Sequence, residues 1–157
     1  MRRDFESLPQ PSAAGTSRAW LLPLRRGGWW ALPSHATLEV VEQPRAVPVP
    51  GAPRHALGLL AWQGRWIALL DVDVLAGEPV LEQPRYALVV AWQPAPGRPL
   101  EHAAVALDAL PELFLLPQDC PACELPEPAG VWRHYAVSCF VHGGHAVPII
   151  DSARLFG

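Results

Sequence analysis

A pattern spanning residues 57–77 returns once, 80 residues further on, and this repeat constrains the chain more than any other feature. An apolar run over residues 57–62 meets Gln63-Gly64-Arg65, and a second apolar run occupies residues 66–70. Asp71 then opens a short helical piece that closes at Gly77. Two apolar runs around a glycine turn predict a β-hairpin, and the aspartate and terminal glycine predict a helix stub behind it. At the end of the chain Gly144 answers to Gly64, Val147 to Ile67, Ile149 to Leu69, Ile150 to Leu70, Asp151 to Asp71 and Leu155 to Leu75.

The remaining segments fit a doubled plan. Residues 1–18 are polar and small, with Pro9 and Pro11, and are expected to form a loose tail ahead of one domain over residues 19–157. Residues 20–24 and 29–32 read as strands around the turn at residues 25–28, and Ser34 as the cap of one helical turn before a strand at residues 38–41. A proline-rich connector at residues 43–53 leads into the first hairpin. Strands at 85–92, 103–107 and 113–116 and a second proline-rich connector at 118–130 precede the last hairpin. Strands, connector, hairpin and stub thus occur twice, in halves expected to join near residue 80 (19–80 and 81–157). Residues 66–70 and 86–92 are apolar without alternation, so both faces of those strands must be covered. Closing each half into a small barrel and packing the barrels together meets that demand. The fold class expected is mostly β, with short helical turns.

With 157 residues there is room for one real core, and half the residues are hydrophobic. The formal charge is −3 and every basic residue is an arginine, which gives no nucleic-acid footprint. No apolar run approaches the roughly 20 residues of a membrane span, and no signal-peptide core opens the chain, so a cytoplasmic location without membrane insertion is expected. Three cysteines do not suggest a disulfide framework.

The ordered set of motifs resembles the CheW-like adaptor domain of bacterial chemosensory arrays. It consists of the Pro48-Val49-Pro50-Gly51 connector, Leu57-Gly58, the hairpin tip at Gly64, the apolar run closing on Asp71, Trp30-Ala31-Leu32-Pro33 followed by Leu38-Glu39-Val40-Val41, and the terminal Val147-Pro148-Ile149-Ile150-Asp151. The resemblance implies two small five-stranded barrels and an adaptor without catalytic activity or cofactor. Its implied partners are the cytoplasmic tip of chemoreceptors and the regulatory domain of a histidine kinase, in a flagellar or type IV pilus system. The partner-binding residues it implies are Glu39, Val40, Pro50, Leu57, Gly58, Gln63 and Gly64. Trp62 joins them on physical grounds, because an aromatic beside a hairpin tip can anchor a partner. Where the family pattern carries arginine, this chain has Gln63, which keeps hydrogen-bonding capacity but loses charge and the bidentate fork. A divergent scaffold or localisation factor that does not bind the kinase is therefore an alternative.

A further alternative is a small zinc-binding protein, since Cys120-x2-Cys123 and Cys139-x2-His142 have the spacing of a zinc ribbon. Cys139 and His142 have opposite parity along a strand, which opposes convergence. Cys120-Pro-Ala-Cys123 as a redox pair lacks the following helix that such motifs use. Asp71 and Asp73 could pair as catalytic carboxylates, but Asp71 and Asp151 share a repeat position where each can cap a stub. No nucleophile elbow, phosphate loop or HExxH motif occurs, so no enzyme is expected. Trp20, Trp29, Trp30, Trp66 and Trp92 are expected in the core.

Overall fold

The computed structural model describes residues 16–157, and the expected tail before Thr16 lies outside them. The strands are β1 (Thr16–Pro23), β2 (Trp29–Pro33), β3 (Thr37–Glu42), β4 (Ala46–Val47), β5 (Ala56–Trp62), β6 (Arg65–Leu70), β7 (Tyr86–Trp92), β8 (Glu101–Leu107), β9 (Glu112–Pro117), β10 (Ala136–His142) and β11 (His145–Ile150). Three short helices, α1 (Val72–Leu75), α2 (Ala129–Tyr135) and α3 (Ser152–Phe156), complete the fold with a 3-10 turn at Ser34–Ala36. β1 starts ahead of the expected domain boundary because Thr16, Ser17 and Arg18 pair with Pro117, Leu116 and Leu115 of β9.

The strands form two curled sheets in the orders β10-β11-β2-β1-β9 and β3-β7-β8-β6-β5-β4. Both repeated hairpins are present, and each feeds its helix stub. The sheets do not follow the expected division at residue 80. β1 and β2 join the terminal hairpin, through a parallel contact of Ile149 with Ala31. β7 and β8 join the first hairpin, through parallel pairing of β6 with β8 at Ala68↔Ala103 to Leu70↔Val105. Each half thus sends its opening hairpin into the sheet that holds the other half's closing hairpin. The apolar pattern is blind to this exchange, because either arrangement buries the same faces.

Three cores explain why the strands lack alternation. Ala19, Leu21, Ala31, Phe140 and Val147 fill the concave side of the five-stranded sheet. Leu60, Ile67, Leu69, Ala87, Val89, Ala104 and Ala106 fill that of the six-stranded sheet. A third cluster lies between the sheets and takes Leu22, Trp30 and Leu32 from one, and Leu70, Leu88, Val90, Val105 and Leu107 from the other. Along β7, successive residues alternate between the second and third cores, so an all-apolar strand is required.

Two expectations are corrected. Trp66 is 62% exposed, because it lies at the outer end of β6, beyond Ala68 and Leu70, which do reach the shared core. The second proline-rich connector ends in a helix, α2, which places Trp132 in the shared core. Pro128 stands at its N-cap, where a missing N–H costs no helical hydrogen bond.

Candidate functional site

The eight residues singled out from the sequence fall into a sheet mouth and a neighbouring groove. At the mouth, β5 and β6 are joined by Gln63 and Gly64, closed by the pair Trp62↔Arg65. Both turn residues have positive φ, 45° and 70°, as a type I′ hairpin turn requires. Glycine adopts such angles freely, and the equivalent terminal turn uses Gly143 and Gly144. Gln63 holds a left-handed conformation at some cost and presents its side chain to solvent. Trp62 is folded back: its indole Nε1 donates a hydrogen bond to Glu39 Oε1 on β3, and its ring lies 5.1 Å from that of His102 on β8. Trp62 therefore spans between opposite sides of the curled sheet, half-buried, with Glu39 and Val40 exposed on the edge strand beside it.

The terminal hairpin repeats this arrangement with different chemistry. His142 stands where Trp62 does, T-shaped against Trp29 of β2 at 5.0 Å and Phe114 of β9 at 4.8 Å. The first mouth thus adds an indole–carboxylate hydrogen bond to its ring contact, while the terminal mouth is closed by ring contacts.

The groove, about 840 Å3, lies between the proline-rich connector and residues 80–85. Pro48, Leu57, Val80 and Leu81 line it, with Arg45 and Arg85 at its walls. Leu57 alone of the eight lines it. Pro50 projects nearby from a turn in which Ala52 N–H donates to Val49 O, with Gly51 at φ 78°, the glycine position of a type II turn. Gly58 is buried and acts on the backbone instead of on a partner. Its φ is 143°, and a Cβ there would lie 2.2 Å from Val47 O, so only glycine lets β4 close against β5. Gly58→Ala is expected to lower stability by about 2 kcal/mol in urea unfolding, and an unchanged midpoint would refute this role.

Asp71 departs from its expected role. The backbones of the repeat match: Asp71 N–H donates to His55 O, and Asp151 N–H to Tyr135 O. The Asp151 side chain caps its stub by accepting from Ala153 N–H at 3.2 Å. The fully buried Asp71 carboxylate makes no such cap and takes both arms of the Arg25 guanidinium, at 3.0 and 3.2 Å. It also accepts from Leu81 N–H at 3.0 Å, while Arg25 donates to Asp73 and to Pro79 O. Arg26 adds an ion pair to Glu78 at 2.7 Å. Partial burial works against the Arg25 charge, but Asp71, Asp73 and Glu78 outweigh it and raise its pKa. Burial pushes the Asp73 carboxyl up, against the pull of Arg25. This latch ties the β1–β2 turn to α1 and fixes residues 79–81, one wall of the groove. The sequence reading missed it because Arg25 lies 46 positions from Asp71. A paired arginine in the turn and two aspartates were the available signal.

The zinc arrangement does not assemble. Cys123 and Cys139 meet, but the His142 ring is held between Trp29 and Phe114. Among the described residues no three His, Cys, Asp or Glu side chains are grouped to hold a metal. Nor is any helix among them long and apolar enough to cross a membrane.

The sequence matches the family model of the CheW-like domain over residues 24–157. The chain belongs to the CheW-like domain family. The crystal structure of the scaffolding protein TtCheW from Thermoanaerobacter tengcongensis is similar in fold, with a TM-score of 0.68 over 90% of this chain and 92% of that one. The two share 16% sequence identity. No curated protein sequence matches the chain. CheW-like proteins are non-enzymatic scaffolds of chemotaxis signalling.

Proposed function

We propose that the chain is a non-enzymatic adaptor that couples chemoreceptors to a histidine kinase within a chemosensory array, flagellar or pilus-linked. Gln63 carries this reading: a glutamine is kept, exposed and left-handed, at a hairpin tip where the chain's own repeat uses glycine. The tip, with Glu39, Val40, Trp62 and Gly64, forms the surface for the kinase regulatory domain. A neutral glutamine there selects hydrogen-bonding groups over a carboxylate, which the family's arginine would favour. The groove beside Pro50 and Leu57 combines apolar Pro48, Leu57 and Val80 with Arg45, Arg85 and Glu82, suited to a receptor helix with apolar anchors and flanking charges of both signs. Single contacts of this kind are modest, and an array supplies strength through many copies.

The test is capture of the kinase regulatory domain and of a receptor cytoplasmic fragment by the purified chain. Gln63→Gly removes the side chain while easing the backbone, and should weaken kinase binding about tenfold without lowering stability. Unchanged affinity would remove Gln63 from the interface, and capture of neither partner would defeat the coupling role.

A further inference from the structure

The cysteines have no part in the adaptor surfaces, yet two of them are placed for chemistry. Cys123 Sγ lies 2.8 Å from Cys139 Sγ. The approach is built into the backbone, since Cys123 N–H donates to Cys139 O at 3.3 Å and lays the proline-rich connector along β10. Cys139 is buried on β10, with its sulfur 3.6 Å from Glu124 O, while Cys123 is partly exposed. Cys120, also partly exposed, packs against the concave core of the five-stranded sheet.

We propose that Cys123 and Cys139 are a covalent modification site, forming a reversible intramolecular disulfide that staples the connector to β10 while Cys120 stays a thiol. The oxidant class is a low-molecular-weight disulfide. Cys123, the accessible sulfur, loses its proton to solvent and attacks one sulfur of that molecule, giving a mixed disulfide and one small thiolate. Burial, with the hydrogen bond and charge of Cys123, pushes the Cys139 thiol up to about 12, which keeps it from attacking first. Held against Cys123, Cys139 then gives its proton to the departed thiolate, attacks Cys123 Sγ and expels the second small thiolate, which is protonated from solvent. Two protein sulfurs are oxidised, one small disulfide is reduced, and two small thiols leave.

The reduced full-length chain is incubated with oxidised glutathione, its free thiols are counted, and it is digested at arginine. The thiol count should fall from three to one. Cleavage after Arg133 separates Cys123 from Cys139, so the bridge joins two peptides otherwise distinct in mass. Cys120→Ser should keep the cross-link and Cys123→Ser should abolish it. The bridged form should melt about 5 °C or more above the reduced form, and excess reductant should reverse the shift. Three persisting thiols, a lasting glutathione adduct without cross-link, a Cys120–Cys123 bridge, or a cross-link surviving in Cys123→Ser would each overturn the proposal. The thiol count and peptide masses of the unmodified chain decide it even where a variant folds poorly.

Discussion

Arg25→Ala is expected to lower the unfolding free energy by about 4 kcal/mol, because it strands the Asp71 carboxylate where solvent does not reach. Removing both partners should cost clearly less than the sum of the single changes, by about 2 kcal/mol, since the double variant leaves no uncompensated buried charge. Asp151→Ala, at the equivalent repeat position, removes a helix cap and an exposed ion pair with Arg154 and should cost about 1 kcal/mol. Urea unfolding of the four variants checks the set, and equal costs at Asp71 and Asp151 would show that the latch carries no special weight. Asp73 adds a pH signature. Its pKa is raised in the folded state, so the fold takes up this proton before the unfolded chain does. Its contribution is therefore fully present below the ordinary aspartate value near 3.8 and is lost as pH rises through the folded value. Asp73→Asn should remove that gain, so the stability difference between the unmodified chain and the variant should move in favour of the unmodified chain on acidification from neutral pH toward the ordinary aspartate value near 3.8.

Residues 1–80 and 81–157 prepared as separate chains are each expected to remain unfolded, and to recover strand structure only when mixed. The first would hold β1 and β2 without the hairpin they sit against, and the second β7 and β8 without β6. Each would expose the shared core and open strand edges along the parallel contacts. Circular dichroism of each fragment and of the equimolar mixture is the measurement. A cooperative melt from either fragment alone would show that the exchange of hairpins is not needed for folding.

What could be read in advance was local. The hairpin and its stub are visible because glycines at the turn and an aspartate before the helix act within a few residues, and because the pattern occurs twice. The need for two covered faces was visible in β7 for a similar reason, as side-chain parity is a property of the strand itself. Sheet membership was hidden, since pairing β2 with β11 joins residues over a hundred positions apart with no mark in either. Asp71 shows the limit most clearly. Its backbone does what the repeat predicts, while its side chain answers to an arginine in a distant turn. Trp62 was located correctly beside the hairpin tip, but its bond to Glu39 depends on how far the sheet curls, which no single strand specifies.

The exchanged hairpins also bear on descent. Reading the sheets from equivalent ends gives β10-β11-β2-β1-β9 and β5-β6-β8-β7-β3, the same sequence of roles, with β4 as an addition to the second. Two copies of a single half would satisfy each other in the same manner, each lending its opening hairpin to its twin. The chain thus has the connectivity of a domain-swapped homodimer fused end to end, in which a contact that symmetry would hold in duplicate becomes two independent positions. Fusion of this kind frees one aspartate to keep capping a helix while its twin becomes the buried anchor of a groove wall.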